Sequence, residues 1–370
     1  MNSRKTDSLP AAESAEVLRR LAPPEAAFAL LMRTALCVTL LFGVSVNAEE
    51  PPLCEAASAQ FKSGDVSGAQ SALWDCVKSG EGNETHAVYL AETYRELRNY
   101  DSGLTRVDAL LEEHADNIDL LCIAAYLRYR RNEPKESMLL VSKAYRLAPE
   151  NWRVHQLFAL NYISFNMLEG AKLSLLKAID LNPRNAELHY QLARLYFTLG
   201  SYVESIAASK QALSIFPDYA EVYHNLALSY EGNGNVDLAI ANFEKAIELD
   251  RKHGRKDESP LIDFAVYQRM QGSPDASLPL LREALAINPR SPKANYQMGE
   301  LLRDMKRYEE SGKYLELAVS LDPCNARALY GLAMITRLLE DSDRSEALLK
   351  RFKEVDAGGH CDAAASRPNY

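Results

Sequence analysis

Three arginines recur at a fixed interval and suggest a site for anions. Arg269, Arg303 and Arg337 follow one another at one constant step along the chain. A row of guanidinium groups favours an acidic ligand, whether a carboxylate, a phosphate or an anionic glycan. Neighbouring acids such as Glu300 and Asp304 offer a second interpretation, in which the row is neutralised within the protein. The sequence leaves both interpretations open.

Catalytic and metal-binding patterns are missing from the sequence. It contains no glycine-rich phosphate loop and no H-E-x-x-H, G-x-S-x-G or C-x-x-C motif, and its histidines are scattered. His155 and His189 are separated by the same step as the arginines. They form a metal or catalytic pair, or, in the interpretation we favour, two structural substitutions at one repeated position. We therefore predict no enzymatic activity, no cofactor and no metal site.

Composition and charge limit the classes of function further. The chain has 370 residues, of which 47% are hydrophobic and 25% are charged. These values are typical of globular proteins and exclude wholesale disorder. The net charge of −9 at pH 7 argues against binding to the phosphate backbone of nucleic acids.

An apolar segment near the amino terminus predicts export. Residues 34–48 carry no charge, follow Arg33 and end in small residues that a signal peptidase accepts. The segment is shorter than the roughly 20 residues that span a bilayer, so a cleaved signal fits better than an uncleaved anchor over residues 26–46. Translation starts at Met1 or at Met32; in the second case residues 1–31 are not part of the protein. We predict a periplasmic or extracellular location, free or associated with the envelope.

The interval that separates the three arginines also separates residues of other types through the rest of the chain. Prolines follow this step at Pro149, Pro183 and Pro217, and resume after a shift of four positions at Pro289 and Pro323. Two series of small residues share the step: Ala91, Ala125, Ala159, Ala193, Ala227, Ala265, Gly299 and Ala333, and Ser137, Ala171, Ser205, Ala239, Ser277, Ser311 and Ser345. Helix amphipathicity, with its period of about 3.6 residues, does not explain so long an interval. The interval predicts a repeat protein of helix-turn-helix units, with small residues where helices cross.

The repeat resembles the tetratricopeptide repeat family, whose unit is a helical hairpin of about 34 residues. Its signature positions are occupied in residues 220–253 by Leu226, Ala227, Tyr230, Ala239, Phe243 and Ala246. The resemblance implies an all-α, right-handed superhelical solenoid of about nine units. The expected divisions are an extension and signal at 1–48, units one to six at 49–253, a basic insertion at 254–257, units seven to nine at 258–359 and a tail at 360–370.

The insertion and the cysteines can be interpreted on this arrangement. The inserted positions approximate one helical turn, so either the preceding helix is longer or a basic loop protrudes. The inserted segment is a solvated connector or a docking site for an acidic surface.

Cys54 and Cys76 lie at equal distances from Asp65, at the turn of the first hairpin. Antiparallel helices would bring them together, which predicts a disulfide; the alternative is two buried thiols. Cys324 with Cys361 is a second candidate pair.

The resemblance also implies that the first helix of each unit lines a concave groove. The residues expected there are Tyr89, Tyr126, Tyr129, Tyr190, Arg194, Phe197, His224, Arg269, Tyr296, Arg303, Tyr330 and Arg337. Tyrosines in a groove suit an extended peptide or a partner helix, because each offers a rigid ring and one hydrogen bond.

These observations predict a non-catalytic, exported scaffold for protein–protein interaction. The expected partner is a protein or peptide, with an acidic segment favoured in the carboxyl-terminal half. Nucleic acid is not expected, and membrane contact is expected only through the signal or a partner. The alternative is an accessory subunit of an envelope polysaccharide or protein export or assembly machine that binds an anionic glycan. A more remote alternative is the repeat region of a glycosyltransferase.

Overall fold

The computed structural model describes residues 53–357, which form two compact units divided after Gly82. Throughout these residues the regular elements are α-helices, and the two helices of each repeat pack extensively as a hairpin, except that Glu84–Glu96 and Tyr100–Glu113 contact each other only slightly. The prediction of an all-α repeat solenoid is therefore confirmed.

The first unit is a single hairpin of α1 (Leu53–Lys62) and α2 (Val66–Lys78). The Asp65 carboxylate caps α2 by accepting a hydrogen bond from the Gly68 N–H group at 3.0 Å. A disulfide joins Cys54 to Cys76, the pair named from the sequence, with Cα atoms 5.1 Å apart. The turn thus brings together two cysteines that are 22 residues apart in the chain.

The second unit contains eight further hairpins. Their helices are α3 (Glu84–Glu96), α4 (Tyr100–Glu113), α5 (Ile118–Arg130), α6 (Pro134–Leu147), α7 (Trp152–Ser164), α8 (Leu168–Leu181), α9 (Ala186–Thr198), α10 (Tyr202–Ile215), α11 (Ala220–Gly232), α12 (Val236–Lys252), α13 (Ser259–Met270), α14 (Pro274–Ile287), α15 (Pro292–Asp304), α16 (Tyr308–Leu321), α17 (Ala326–Leu338) and α18 (Ser342–Asp356). The odd-numbered helices are the first helices of the hairpins, and neighbouring first helices contact one another along much of the array: α3 with α5, α5 with α7, α9 with α11, α13 with α15 and α15 with α17. These first helices can therefore present side chains to one another in rows.

Close crossing of the two helices in a hairpin depends on the two small series. Five serines of second helices donate their hydroxyl hydrogen to a carbonyl oxygen of the paired first helix: Ser137 to Ala125, Ser205 to Ala193, Ser277 to Ala265, Ser311 to Gly299 and Ser345 to Ala333, at 2.7–2.8 Å. All five serines are buried. Small side chains on both helices let the two backbones come close enough for these hydrogen bonds, which satisfy the buried serine hydroxyls.

Helix ends also follow the repeat. Each of the five periodic prolines lies just beyond the end of a second helix, at the second position after it, where it cannot continue the helix. Gly200 and Gly234 occupy the turn inside their hairpins with φ of +71° and +76°, a conformation that costs glycine little. Asparagine side chains cap α3, α5, α7 and α9 by accepting hydrogen bonds from backbone N–H groups of the first turn.

The shift in the repeat is accommodated by a longer helix and a connector. Helix α12 has 17 residues, whereas α10 and α14 have 14 each, and residues 253–258 lead from it to α13. Its last basic residues are paired with acids of the protein: Arg251 with Glu283 at 2.6 Å, and Lys252 with Asp218 at 2.8 Å.

Some predictions fall outside the described residues. The predicted signal and alternative start lie in residues 1–52, and Cys361 lies in residues 358–370. Cys324 is disulfide-bonded rather than a thiol, and its pairing with Cys361 stays a prediction. Over residues 53–357, no helix combines the length and the apolar character needed to cross a bilayer.

Candidate functional site

A cavity of about 430 Å³ lies along the first helices of five consecutive hairpins in the second unit. We call it the groove pocket. Its lining residues belong to α3, α5, α7, α9 and α11 or to their N-caps: Val88, Ala91, Glu92, Arg95, Cys122, Tyr126, Arg130, Trp152, Arg153, Gln156, Leu157, Leu160, Asn185, Glu187, Tyr190, Arg194, Tyr219 and Glu221. The walls are mainly aromatic and charged, which suits recognition of a polar ligand with flat or extended parts.

Glu187, in the first turn of α9, is a half-buried carboxylate that lines the groove pocket. Only part of its surface meets the cavity, and protein surrounds the rest. It accepts hydrogen bonds from the hydroxyl of Tyr219 and, at 2.8 Å, from the side-chain amide of Gln191. Burial raises the pKa of the Glu187 carboxyl, and the charge of Glu92 acts in the same direction, against the lowering effects of Tyr219, Gln191 and Arg95. Within residues 53–357 no cationic side chain forms an ion pair with Glu187.

Tyr219 occupies a position that is a capping asparagine in the four preceding hairpins. Asn185, for example, accepts hydrogen bonds at the start of α9, whereas Tyr219 makes no side-chain cap at the start of α11. Its hydroxyl instead donates to Glu187 of the preceding hairpin. Its ring lies 5.3 Å from the ring of Tyr190 and 5.6 Å from that of Phe216, measured between centroids. The residue has thus exchanged a capping role for a role in the groove pocket.

Glu221 connects the groove pocket to the inserted segment. Its Oε1 atom pairs with Nη2 of Arg255 at 2.5 Å, and Arg255 also donates to Asp250 at 3.0 Å. Its Oε2 atom is buried and has no hydrogen-bond partner among the described residues. The insertion therefore delivers an arginine that fixes one oxygen of Glu221, while the other oxygen is buried without a partner among the described residues.

The arginines of the groove pocket divide into paired and unpaired groups. Arg153 binds Asp119 at 2.8 Å, and Arg95 binds Glu92 on the same helix. Arg130 and Arg194 have no carboxylate partner in the part of the chain that the structure describes. Their guanidinium carbons lie over the rings of Tyr100 and Tyr190 at 5.8 and 5.7 Å from the centroids. The groove pocket thus offers uncompensated groups of both signs.

The structure brings together only part of the predicted groove. Tyr126, Tyr190 and Arg194 line the groove pocket. The other predicted residues of this half do not: Tyr89, Tyr129, Phe197 and His224. Phe197 packs on Tyr202 of α10 with centroids 5.8 Å apart, and His224 contacts Asp263 of α13 at 3.1 Å.

A second, smaller cavity of about 310 Å³ lies near the carboxyl-terminal end of the array. It is lined by Tyr296, Glu300, Arg303, Arg327, Tyr330, Gly331 and Phe352. Three of these, Tyr296, Arg303 and Tyr330, are residues predicted from the sequence. Burial raises the pKa of Tyr296, and Glu300 acts in the same direction.

The arginine row is largely neutralised by acids of the protein. Arg269 pairs with Asp304 at 2.8 Å, and Arg303 pairs with Glu300 at 2.8 Å and with Asp304 at 3.2 Å. Arg337 is exposed and has no ion pair within residues 53–357. The geometry therefore favours the second interpretation for two of the three arginines.

The two periodic histidines make the same local contact. His155 Nε2 lies 2.8 Å from the carbonyl oxygen of Pro149, and His189 Nε2 lies 2.9 Å from that of Pro183. Each histidine ties the first turns of a first helix to the preceding proline. This geometry favours the structural interpretation of the pair.

Glu187, Tyr219 and Glu221 were not among the residues predicted from the sequence. A signal for them exists in the repeat itself. Glu187 and Glu221 occupy one slot of adjacent units, in a series that also contains Asp119 and Arg153. Tyr219 is a departure from the asparagine slot of the preceding units. A scan of every slot of the repeat for charges and for departures would have found all three.

Comparisons with known proteins support the fold. Two family models described as tetratricopeptide repeat match the sequence, one at residues 184–252 and 218–290 and the other at residues 268–319. A search among curated proteins found no match.

Solved structures with a similar fold include the crystal structure of the APC/C hetero-tetramer Cut9–Hcn1, at 16% identity and a TM-score of 0.60. That match covers 78% of this chain, which spans only 56% of the matched chain, and it shows the fold alone. TTC0263, a thermophilic TPR protein of Thermus thermophilus, matches at 25% identity and a TM-score of 0.41, over 46% of this chain and 93% of its own. YrrB, a TPR protein with an unusual peptide-binding site, matches at 20% identity and a TM-score of 0.39, over 50% of this chain and 92% of its own.

Repeat arrays of this kind use extended concave surfaces to bind other molecules, and this family typically supplies non-catalytic scaffolds that bind proteins or peptides. The repeat period, the helical hairpins and the matching family models agree: residues 184–319 of this chain are tetratricopeptide repeats, and the described residues share the helical repeat fold of Cut9.

Proposed function

We propose that this protein is an exported, non-catalytic scaffold that binds a partner protein or peptide in the groove pocket. The observation that carries the proposal is the cavity itself. It extends over the first helices of five consecutive hairpins and presents tyrosine rings together with unpaired charged groups. An extended segment can contact several helices of such a row at once, whereas a compact substrate would need one localised set of reactive groups.

Export is supported by two independent features. The apolar residues 34–48 have the length and flanks of a cleaved signal. The disulfide between Cys54 and Cys76 is a feature of proteins that fold in oxidising compartments. Both features suit the periplasm or the extracellular space.

The test is capture of partners with the groove pocket open or filled. The full chain, carrying a carboxyl-terminal tag, is produced in its native host so that any signal is processed there, and complexes are recovered from the envelope fraction. Gln156→Trp fills the cavity without changing charge, because Gln156 is one of its lining residues. Gln211→Trp is the matched control, because Gln211 is exposed on α10.

We expect a partner that is recovered by the natural protein and by Gln211→Trp and is lost from Gln156→Trp. Equal recovery by all three proteins would show that the groove pocket is not the binding site. Recovery of an anionic polysaccharide in place of a protein would replace the proposal by the glycan-binding alternative. The amino-terminal sequence of the recovered protein reports directly whether residues 1–48 have been removed.

A further inference from the structure

Two carboxylates of the groove pocket belong to the same slot of neighbouring hairpins. Glu187 lies in the first turn of α9 and Glu221 in the first turn of α11. Glu187 has no ion pair among the described residues, and the Oε2 atom of Glu221 has no hydrogen-bond partner there. A buried acceptor without a partner costs free energy. Because Glu221 lines the groove pocket, rotation of its carboxylate toward a ligand that donates to Oε2 would recover that cost.

Aromatic rings stand beside these carboxylates. Tyr190 and Tyr219 lie 5.3 Å apart, and both are within electrostatic range of Glu187 and Glu221. Burial, with contributions from these two carboxylates, raises the pKa of Tyr190 to about 12. Tyrosine faces and carboxylates both attract cations: the ring through its quadrupole, and the carboxylate through charge-assisted hydrogen bonds.

We propose that the groove pocket seats a lysine or arginine side chain of the partner between Glu187 and Glu221, beside the rings of Tyr190 and Tyr219. This inference rests on the proposed function, since it names the chemistry of the partner at that site. The cavity volume of about 430 Å³ lies within the range of ligand pockets, about 300–1,000 Å³, and accommodates a long side chain with part of its backbone.

The cations of the groove pocket do not prevent this arrangement. Arg130 has no carboxylate partner among the described residues, but it lies over the Tyr100 ring at the end of α5, two hairpins before Glu187. Arg95 and Arg153 are held by Glu92 and Asp119. Arg194 lies over the Tyr190 ring, 5.7 Å from its centroid, but it is exposed, so water and salt screen its charge and the partner's cation is seated on the side of Glu187 and Tyr219. Arg194 is then placed to receive a carboxylate elsewhere on the same partner segment.

The test measures which side chain the groove pocket selects. Fluorescently labelled hexapeptide pools with blocked termini carry one fixed residue (lysine, arginine, glutamate or norleucine) and random residues elsewhere, without cysteine. Binding to the full chain purified from its native host is followed by fluorescence polarisation. Glu187→Gln and Glu221→Gln remove one charge each and keep the side-chain shape. Glu244→Gln is the matched control, since Glu244 is exposed on α12 and has no ion pair in the described part of the chain.

We expect the lysine and arginine pools to bind at least about tenfold more tightly than the norleucine pool, as a charge-assisted hydrogen bond would give. Glu187→Gln and Glu221→Gln should bring the basic pools to the norleucine level, and Glu244→Gln should not. Circular dichroism at 222 nm verifies that each variant is folded.

Three outcomes would overturn the inference. Preference for the glutamate pool, lost in Arg194→Gln, would make the groove pocket a site for acidic segments and would leave the proposed function standing. Tighter binding of putrescine than of the lysine pool would identify a free amine as the ligand. Equal binding of all pools, or no binding of any pool, would refute the inference. The capture experiment with Gln156→Trp would still test the proposed function separately.

Discussion

The hydroxyl of Tyr219 should stabilise the protein through Glu187, and the substitution Tyr219→Phe isolates that contribution. The substitution keeps the ring, so its contacts with Tyr190 and Phe216 at 5.3 and 5.6 Å are preserved. It removes only the donor to Glu187, which then retains the Gln191 amide at 2.8 Å as its remaining hydrogen-bond donor. Any change in the free energy of unfolding therefore reports one hydrogen bond and not a loss of packing.

The magnitude depends on the protonation state of Glu187. A hydrogen bond to an ionised carboxylate contributes about 1.5–3 kcal/mol, and one to a neutral acceptor about 0.5–1.5 kcal/mol. The Tyr219 hydroxyl favours the ionised form, because it acts to lower the pKa of Glu187. Its larger contribution is therefore present at a pH above that pKa and declines as the pH falls through it. We expect Tyr219→Phe to lower the free energy of unfolding by about 0.5–1.5 kcal/mol at pH 4, and by about 1.5–3 kcal/mol once the pH has been raised above the pKa of Glu187.

The assay is urea unfolding followed by circular dichroism, with each variant compared with the natural protein at the same pH. Tyr223→Phe is the matched control, because Tyr223 lies on the same helix and its hydroxyl has no partner among the described residues. It should change the free energy by less than about 0.5 kcal/mol at either pH. If Tyr219→Phe and Tyr223→Phe were indistinguishable at pH 7.5, the reasoning that Tyr219 holds an ionised Glu187 would be refuted.

Three further predictions follow from burial, hydrogen bonding and the disulfide. Because burial raises the pKa of Glu187, its ionised form weakens the native state, so Glu187→Gln should raise the melting temperature at pH 7. The corresponding gain in the free energy of unfolding should be about 1.4 kcal/mol for each unit by which the pKa is raised, and it should vanish below the ordinary pKa of glutamate. Glu244→Gln should show neither the higher melting temperature nor this pH dependence. Ser311→Ala should cost about 1 kcal/mol in urea unfolding, because it removes a buried hydroxyl that donates at 2.7 Å. Reducing the bond between Cys54 and Cys76 should cost its hairpin about 3 kcal/mol, measured as amide hydrogen exchange at least about a hundredfold faster in that hairpin. Unchanged exchange after reduction would contradict this last expectation.

The repeat explains why the fold was predictable from the sequence. Each repeat unit needs small residues where its two helices cross. Ser311 and Gly299 occupy these positions in one unit, and the Ser311 hydroxyl lies 2.7 Å from the carbonyl oxygen of Gly299. The same hairpin geometry places Cys54 beside Cys76. These contacts lie within one unit and therefore depend only on spacing along the chain.

Contacts between units were harder to predict. Arg269 and Asp304 belong to neighbouring hairpins, and their pairing depends on how far one hairpin is rotated against the next. The electrostatic effect of Glu92 on Glu187 reaches from α3 to α9 and depends on several such rotations. A sequence with a known period does not specify those angles. The sequence therefore left undecided whether the arginine row is neutralised, and it did not single out the carboxylates of the groove pocket.

Three departures from the repeat coincide with the groove pocket. An asparagine cap contributes about 1 kcal/mol, yet Tyr219 stands in that slot and leaves α11 without a side-chain cap. Glu187 is enclosed without an ion pair among the described residues, which also lowers stability. The insertion after α12 supplies Arg255, which fixes one oxygen of Glu221. The missing cap, the carboxylate without an ion pair and the contact with Arg255 thus all involve the first turns of α9 and α11, and helix packing alone requires none of them. Because departures from local rules are common at functional sites, we expect the contact with the partner at Glu187, Tyr219 and Glu221 and not at the neutralised arginines.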